Sequence, residues 1–168
     1  EQVMTEVRKN VPFIRGITVS GGECTRWPEF LKELFPLARE ENLTCLLDSN
    51  GSYDFSADPA LLAVTDGVML DVKAWAPEEH RNVTGQDNAV VLKNLRLLAE
   101  NGKLTEERTV VAPGLFDAEE TATRVCRLLA ETGRLTTRHK IIRVRPWAYG
   151  QRKKPFLSRS RHSSPRCG

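Results

Sequence analysis

Residues 17–23 read Ile17-Thr18-Val19-Ser20-Gly21-Gly22-Glu23, an apolar and β-branched run that ends in two glycines and a carboxylate. β-Branched residues favour a buried strand, and the glycine pair predicts the turn where that strand ends. Glycine allows a positive φ or a close approach of the backbone to a ligand, and a glutamate is costly to bury, so Glu23 is expected to face an opening. There Glu23 and the backbone groups of Gly21 and Gly22 could hold a ligand amine or hydroxyl. The alternative is a plain strand-to-helix turn.

The composition is typical of a soluble globular protein. The 168 residues are enough for one domain with its own core, and 40% of them are apolar and 28% charged. The sequence contains no apolar run near the roughly 20 residues of a membrane helix, and it opens with no signal-peptide pattern. We therefore expect a cytoplasmic protein that contacts no membrane.

The cysteines, Cys24, Cys45, Cys126 and Cys167, are far apart and form no C-x-x-C pair. Their spacing predicts neither a zinc site nor a cluster site within the chain. Cys45 and Cys126 stand among apolar residues, so we expect both thiols to be buried. A reducing compartment fits this use of cysteine.

The net charge of +3 is unevenly distributed along the chain. Residues 151–168 carry six Lys and Arg and no acid, and removing those six charges leaves −3 for the rest. We expect residues 1–148 to form the folded core and residues 149–168 to be a basic, disordered tail. The positive charge therefore predicts no nucleic-acid surface on the folded part.

Strand and helix patterns alternate along the sequence. Strands are predicted at 16–20, 44–47, 67–72, 107–111 and 140–145. Helices are predicted near 1–12, from 27 onward, and at 59–64, 77–83, 88–101 and 117–131. Alternation with short apolar strands predicts an α/β fold with parallel strands that are buried on both faces. Five strands are too few for an eight-stranded barrel, which leaves an open sheet or an incomplete barrel.

Three carboxylates fall where predicted strands end: Glu23, Asp48 and Asp71, with Lys73 close behind. The carboxyl ends of parallel strands lie on one edge of the sheet, where ligands bind in open α/β sheets and in barrels. These side chains are therefore expected to meet, and Arg108 points to the same edge less directly. A cluster of like charges needs a cation or a cationic ligand group to neutralise it.

Each acid also has a purely structural interpretation. Asp48 fits an Asx turn, Asp71 fits a partner of Lys73, and Glu23 fits a charge at a helix N-terminus. We favour a binding site because all three acids end strands of one predicted parallel sheet.

Five segments, in this order, resemble a known family. They are 18–23 (TVSGGE), 47–51 (LDSNG), 66–73 (DGVMLDVK), 79–85 (EHRNVTG) and 108–114 (RTVVAPG). The family is that of the radical S-adenosylmethionine activating enzymes of glycyl-radical enzymes, of which the pyruvate formate-lyase activases are the best-known members. The wording of residues 20–30, SGGECTRWPEF, is most similar to the YjjW-type branch. The resemblance runs from about residue 1 to about residue 146 and is more specific than a lone Gly-Gly-Glu.

The resemblance implies an incomplete (β/α)6 partial TIM-type barrel that binds S-adenosylmethionine. In such enzymes a [4Fe-4S] cluster binds the amino and carboxylate groups of this cofactor. One electron then cleaves the sulfonium, and the 5′-deoxyadenosyl radical abstracts hydrogen from a glycine of the partner. The implied partners are a glycyl-radical enzyme and an electron donor such as flavodoxin or ferredoxin.

The resemblance also implies roles for individual residues. The methionine amine would be held by Gly21, Gly22 and Glu23. The carboxylate or ribose of the cofactor would be contacted by Lys73 and Arg108. The residues that match a site for a monovalent cation near the methionine carboxylate are Asp48, Ser49, Met69 and Asp71.

The sequence departs from the family in two places. The cluster motif C-x3-C-x2-C does not occur in residues 1–168, so its ligands are expected upstream of residue 1 and no catalytic residue is assigned here. After the Arg-x-Arg-Pro of residues 143–146 the family pattern is lost and the sequence turns basic. We therefore expect a fragment that is inactive alone, with a missing start and an out-of-frame end.

Two other functions compete with this interpretation. One is an inactive remnant that has lost the cluster loop and only packs or binds a partner. The other is an unrelated α/β nucleotide-binding domain, but no G-x-G-x-x-G and no P-loop follows any predicted strand.

Overall fold

Parallel strands and helices alternate through the residues that the computed structural model describes, 1–111 and 116–143. The strands are β1 (Gly16–Val19), β2 (Thr44–Ser49), β3 (Gly67–Val72), β4 (Leu104–Val111) and β5 (Arg138–Arg143). The helices are α1 (Gln2–Arg8), α2 (Pro28–Glu40), α3 (Pro59–Val64), α4 (Pro77–Thr84), α5 (Ala89–Glu100) and α6 (Ala118–Glu131). Short 3₁₀ helices span Val11–Phe13, Cys24–Arg26 and Phe55–Ala57.

The five strands form one parallel sheet in the order β1-β2-β3-β4-β5, and this sheet is not closed. The predicted α/β class with parallel strands is therefore confirmed. No helix within the described ranges is long and apolar enough to cross a lipid bilayer.

The largest differences from the predicted element bounds are at the end of α1 and at the start of β4. The first helix ends at Arg8 rather than near residue 12, because Pro12 has no N–H to donate and the chain turns through Val11–Phe13. Strand β4 begins at Leu104 rather than at 107, because the polar Thr105 and Glu106 interrupt the apolar pattern before residue 107. Residues 144–145 of the last predicted strand and the predicted tail, 149–168, lie outside the described residues.

The core lies between the sheet and its helices. Strands β2 and β3 alternate between buried and half-buried positions, so the predicted burial of both sheet faces holds for one face only. The helix-covered face contributes Leu47, Val68 and Leu70, all fully buried, against residues of α2, α3, α5 and α6. Burying one such side chain contributes about 1.5–3 kcal/mol. The other face is half-buried and carries the polar side chains of the candidate site.

A β-bulge in β4 decides which side chains reach that half-buried face. Val68 pairs with Leu104, whereas Met69 pairs with Glu106, so Thr105 is an extra residue. Because strand side chains alternate, one extra residue moves all later ones to the opposite face. Gly67 makes room for the bulge, since a Cβ at this position would overlap Thr105 Oγ1.

The two predicted buried thiols differ. Cys45 is fully buried, as predicted, and burial raises the pKa of its thiol to about 11. The prediction for Cys126 is wrong, because this thiol is exposed. Helix α6 turns Val125, Leu128 and Leu129 toward the core, and Cys126 lies outside that stripe.

The same bulge places a carboxyl group, Glu107, on the helix-covered face, where it is fully buried. Thr109 Oγ1 donates a hydrogen bond to Glu107 Oε1 at 3.1 Å, and His139 Nδ1 lies 3.1 Å from Glu107 Oε2. Burial raises the pKa of Glu107 to about 8 and lowers the pKa of His139. At neutral pH this is therefore mainly a contact between a carboxylic acid and a neutral imidazole.

Glu107 makes the free energy of unfolding depend on pH. The folded state holds this proton up to about pH 8, whereas the unfolded state releases it near the ordinary value of 4.5. The free energy of unfolding is therefore expected to fall as the pH rises from about 4.5 to about 8. Glu107→Gln removes this dependence and is expected to stabilise the protein by about 2–4 kcal/mol above pH 8. Denaturant titrations across this window measure the effect, with Glu119→Gln on the exposed side of α6 as control, and a Gln variant that keeps the wild-type slope would contradict it.

Candidate functional site

The predicted site residues lie at the carboxyl edge of the sheet, where β1, β2 and β3 end. The register pairs Asp48 with Met69 and Asp71 with Arg108, so neighbouring strands place these side chains side by side on the half-buried face. The structure thus brings together three of the four charged residues that the sequence placed at this edge: Asp48, Asp71 and Lys73. Arg108, which the sequence pointed to this edge less directly, lies between the two aspartates.

The Arg108 guanidinium lies between the two aspartates. Both terminal nitrogens of Arg108 donate to the Asp48 carboxylate, and Arg108 Nε lies 3.0 Å from Asp71 Oδ1. The contact with Asp71 is an ion pair without the alignment of a hydrogen bond. Glu106 Oε1 is 4.0 Å from the same nitrogen, so three acids surround one cation. This side chain therefore offsets part of the negative charge of the cluster.

Asp71 also contacts Lys73, in the way that the structural alternative expected. Lys73 Nζ lies 4.0 Å from Asp71 Oδ2. Burial raises the pKa of Asp71, and the attraction of Arg108 and Lys73 opposes this rise. The lysine side chain is about one-third exposed, so its ammonium group has access to a ligand at the edge.

Glu23 connects the loop after β1 to the end of β2. Its Oε1 accepts hydrogen bonds from Thr25 Oγ1 at 2.6 Å and Ser49 Oγ at 2.9 Å, and its Oε2 accepts from Asn50 N at 2.8 Å. It also caps the short helix Cys24–Arg26 through Thr25 N, so the alternative of a helix N-terminal charge is confirmed as well. Oε2 keeps acceptor capacity for a further donor, because a carboxylate oxygen accepts about two hydrogen bonds.

The two glycines before Glu23 form an open loop. Gly21 and Gly22 have φ values of +100° and +53°, which disfavour any residue with a Cβ. A Cβ built at either glycine would meet no atom within 4 Å, so the loop borders open space rather than core. The backbone groups of this loop are accordingly available to a ligand that Glu23 also contacts.

The Asx turn predicted for Asp48 is formed by another residue. Asn50 Oδ1 accepts from Ser52 N at 2.9 Å, and Gly51 at φ +77° completes the turn. Asp48 instead points to Arg108 and accepts a hydrogen bond from Ser20 Oγ at 3.3 Å. Its carboxylate therefore belongs to the cluster, not to the turn.

The proposed ligands of a monovalent cation are divided between two faces. Asp48, Met69 and Asp71 share the half-buried face, whereas Ser49 is buried on the opposite one. Ser49 Oγ already donates to Glu23 and accepts from Gly51 N at 3.1 Å. In the described ranges, no three His, Cys, Asp or Glu side chains are arranged to hold a metal ion.

Sequence reasoning missed two contributors to the site. Cys24 is buried and its thiol donates to Asp48 O at 3.3 Å, while burial raises its pKa to about 11 and keeps it protonated. Asn50 supplies the backbone N–H that orients Glu23. The only signal for these contacts was position in the sequence: Cys24 directly follows residues 18–23, and Asn50 lies within residues 47–51. Neither residue type indicates the contact by itself.

Comparisons with known proteins place these motifs in a sequence family. The Radical SAM superfamily matches residues 1–125. Pyruvate formate-lyase-activating enzyme of Streptococcus mutans is 41% identical over 111 residues, which cover 62% of this chain and 42% of that protein. A Haemophilus influenzae protein, named provisionally as a glycyl-radical enzyme activating enzyme, is 34% identical over 160 residues, covering 83% of this chain and 60% of that protein. Pyruvate formate-lyase 1-activating enzyme of Escherichia coli is 38% identical over 113 residues, covering 66% and 46%.

This chain therefore spans about half the length of the curated relatives that it matches. Among solved structures, it is similar to a domain of pyruvate-formate lyase-activating enzyme from Bacteroides vulgatus. The TM-score is 0.51 at 16% sequence identity, and the match covers 75% of this chain and 98% of that one. At this identity the likeness concerns the fold alone, and it is consistent with a partial barrel.

Removing the central cation tests the electrostatics of the site. Arg108→Leu leaves the carboxylates of Asp48 and Asp71 unneutralised at neutral pH. We expect a loss of about 2 kcal/mol in the free energy of unfolding, less than for a fully buried pair because the aspartates are one-quarter exposed. The loss should shrink at acidic pH, since protonated carboxyls need no counter-ion. Urea denaturation at both pH values measures it.

The control for this prediction is Arg39→Leu. Arg39 pairs with Asp66 on the surface, where both side chains are more than one-third exposed, and such pairs contribute about 0–1 kcal/mol. Equal losses in the two variants, or a loss at Arg108 that does not change with pH, would contradict the central role of its guanidinium.

Proposed function

The chain belongs to the radical SAM superfamily, and we propose that it forms the S-adenosylmethionine-binding part of an activating enzyme for a glycyl-radical enzyme. The observation that carries this proposal is the carboxyl edge of the sheet. There the Gly21-Gly22 loop faces open space, the carboxylate of Glu23 is oriented by Asn50 N–H, and the cations of Lys73 and Arg108 both contact Asp71. The relatives' names support the class of activating enzyme.

The chemistry of the edge suits this cofactor. S-adenosylmethionine carries an ammonium, a sulfonium and a carboxylate, so its pocket needs charges of both signs. Glu23 Oε2 and backbone groups of Gly21 and Gly22 would hold the ammonium, because Glu23 is already fixed by Ser49 and Asn50. Lys73 and Arg108 would contact the carboxylate or the ribose.

The rest of the proposed activity needs a cluster, a partner protein and an electron donor. In this proposal a [4Fe-4S] cluster would supply the one electron that splits S-adenosylmethionine into methionine and a 5′-deoxyadenosyl radical. The partners are a glycyl-radical enzyme, whose glycine loses the hydrogen, and an electron donor such as flavodoxin or ferredoxin. We place this reaction in the cytoplasm. No step is assigned to residues of this chain beyond binding and orienting the cofactor.

Cofactor binding by the chain itself tests the proposal. Calorimetric titration with S-adenosylmethionine is expected to show weak, millimolar-range binding, because contacts to the cluster are not available. Glu23→Gln keeps one acceptor, for Ser49, but loses the acceptor for Asn50 N and the charge that holds the ammonium, so affinity should fall about 10-fold or more. Glu29→Gln, at an exposed position of α2 where the carboxylate pairs only with Lys32, is the matched control and should bind as the wild type does.

Two results would count against this account. No binding by the wild-type chain would favour an inactive remnant. If Glu23→Gln binds S-adenosylmethionine with unchanged affinity, Glu23 does not hold the ammonium group, although the assignment of the cofactor stands.

The monovalent cation is a separate proposal. Asp48 and Asp71 already have Arg108 as a counter-ion, so a cation would have to share them. If it does, affinity for S-adenosylmethionine should be higher in potassium chloride than in choline chloride of equal ionic strength, because choline is too large to enter. Asp71→Asn should lower affinity several-fold and abolish this difference. If the wild type binds S-adenosylmethionine equally well in both salts, the proposal of a monovalent cation is wrong and Arg108 is the counter-ion of the two aspartates.

A further inference from the structure

Two buried asparagines contact the two loops that carry the proposed cofactor contacts. Asn88 is the N-cap residue of α5 and is 1% exposed, and Asn94, within α5, is fully buried. Asparagine is a poor helix former, and a buried amide is costly unless its hydrogen bonds are made. Their partners therefore indicate what these residues do.

Asn88 holds the loop that follows β3. Its Nδ2 donates to Ala74 O at 3.1 Å and to Trp75 O at 2.7 Å, the two residues directly after Lys73. Thr121 Oγ1 of α6, also fully buried, accepts from Trp75 N at 3.0 Å. Two helices thus fix the backbone next to the lysine.

Asn94 holds the loop that follows β2. Its Nδ2 donates to Gly51 O at 2.9 Å and Tyr53 O at 2.6 Å, and its Oδ1 accepts from Phe55 N at 3.2 Å. The residue just before this loop segment is Asn50, whose N–H orients Glu23. Both donor hydrogens and the acceptor of Asn94 are therefore used on one loop.

We propose that Asn88 and Asn94 are positioning residues for S-adenosylmethionine, an inference that rests on the proposed function. Helix α5 is a common base for two loops, and its amides fix where Lys73 and Asn50 stand at the opening. Neither asparagine touches the cofactor in this account. Asn88 acts through Lys73, and Asn94 acts through Asn50 and Glu23.

The first arm of the test needs no ligand. In hydrogen-exchange mass spectrometry of the full chain, Asn88→Ala should accelerate exchange of residues 73–76 roughly tenfold and leave residues 51–55 unchanged. Asn94→Ala should show the reverse pattern. Asn101→Ala is the matched control, because this exposed asparagine at the other end of α5 bonds only to its own helix, at Leu97 O. Exchange that is unchanged, or raised equally in both loops, overturns the inference.

The second arm separates positioning from general stability. Leu98→Ala creates a cavity under α5 and lowers stability but removes none of the side-chain hydrogen bonds to the two loops. At a temperature where every variant is folded, Asn88→Ala should weaken S-adenosylmethionine binding about fivefold to tenfold, whereas Leu98→Ala should not. An equal loss of affinity in Leu98→Ala overturns the inference.

A double-mutant cycle then tests the route through the lysine. If Asn88 acts by positioning Lys73, Asn88→Ala should cost no further affinity in a Lys73→Met background. Additive losses overturn the inference. If the wild-type chain does not bind S-adenosylmethionine, the proposed function is wrong. The claim that the two asparagines position groups for this cofactor is then wrong as well. The exchange arm shows separately whether the amides fix the loops.

Discussion

The ion cluster of Asp48, Arg108 and Asp71 is the constraint on which the carboxyl edge depends. Adjacent strands place the two aspartates on the same half-buried face, where their charges would repel. The guanidinium from the next strand lies between them and ties β2, β3 and β4 together. It reaches that face only because the bulge at Thr105 reverses the facing of the later residues in β4. A single extra residue in one strand therefore sets the electrostatics of the whole edge.

A second layer of contacts fixes the loops around this cluster. Glu23 joins the first loop to the end of β2, and the amides of α5 hold the loops after β2 and β3. The protein supplies all of these partners itself, so the edge is organised before any ligand binds. Two groups remain accessible at this edge: the backbone of the Gly21-Gly22 loop and the ammonium group of Lys73. In the proposed function they suit the ammonium and the carboxylate of an amino acid, respectively. Such preorganisation lowers the ordering cost of binding.

Much of this arrangement could be predicted from sequence because it follows from local patterns. The bounds of β3 and the helix predicted at 117–131 agree with the structure, since an apolar run and an Asp before an amphipathic segment act over a few residues. The meeting of Asp48 and Asp71 followed from the geometry of parallel strands alone. The family resemblance added roles for these residues that no pattern of polarity could supply.

The rest depends on contacts between distant segments. The position of Arg108 required the bulge, and the bulge has no signal in the sequence beyond Gly67. Asn94 binds carbonyls about forty residues away, so its type alone gives no partner. The exposure of Cys126 turned on which stripe of α6 faces the core. Mapping amide chemical shifts of the ¹⁵N-labelled chain during titration with S-adenosylmethionine tests the central claim most directly. The account predicts that the shifts change first at Gly21, Gly22, Asn50 and Lys73; shifts confined to the opposite edge of the sheet, or none at millimolar cofactor, would contradict it.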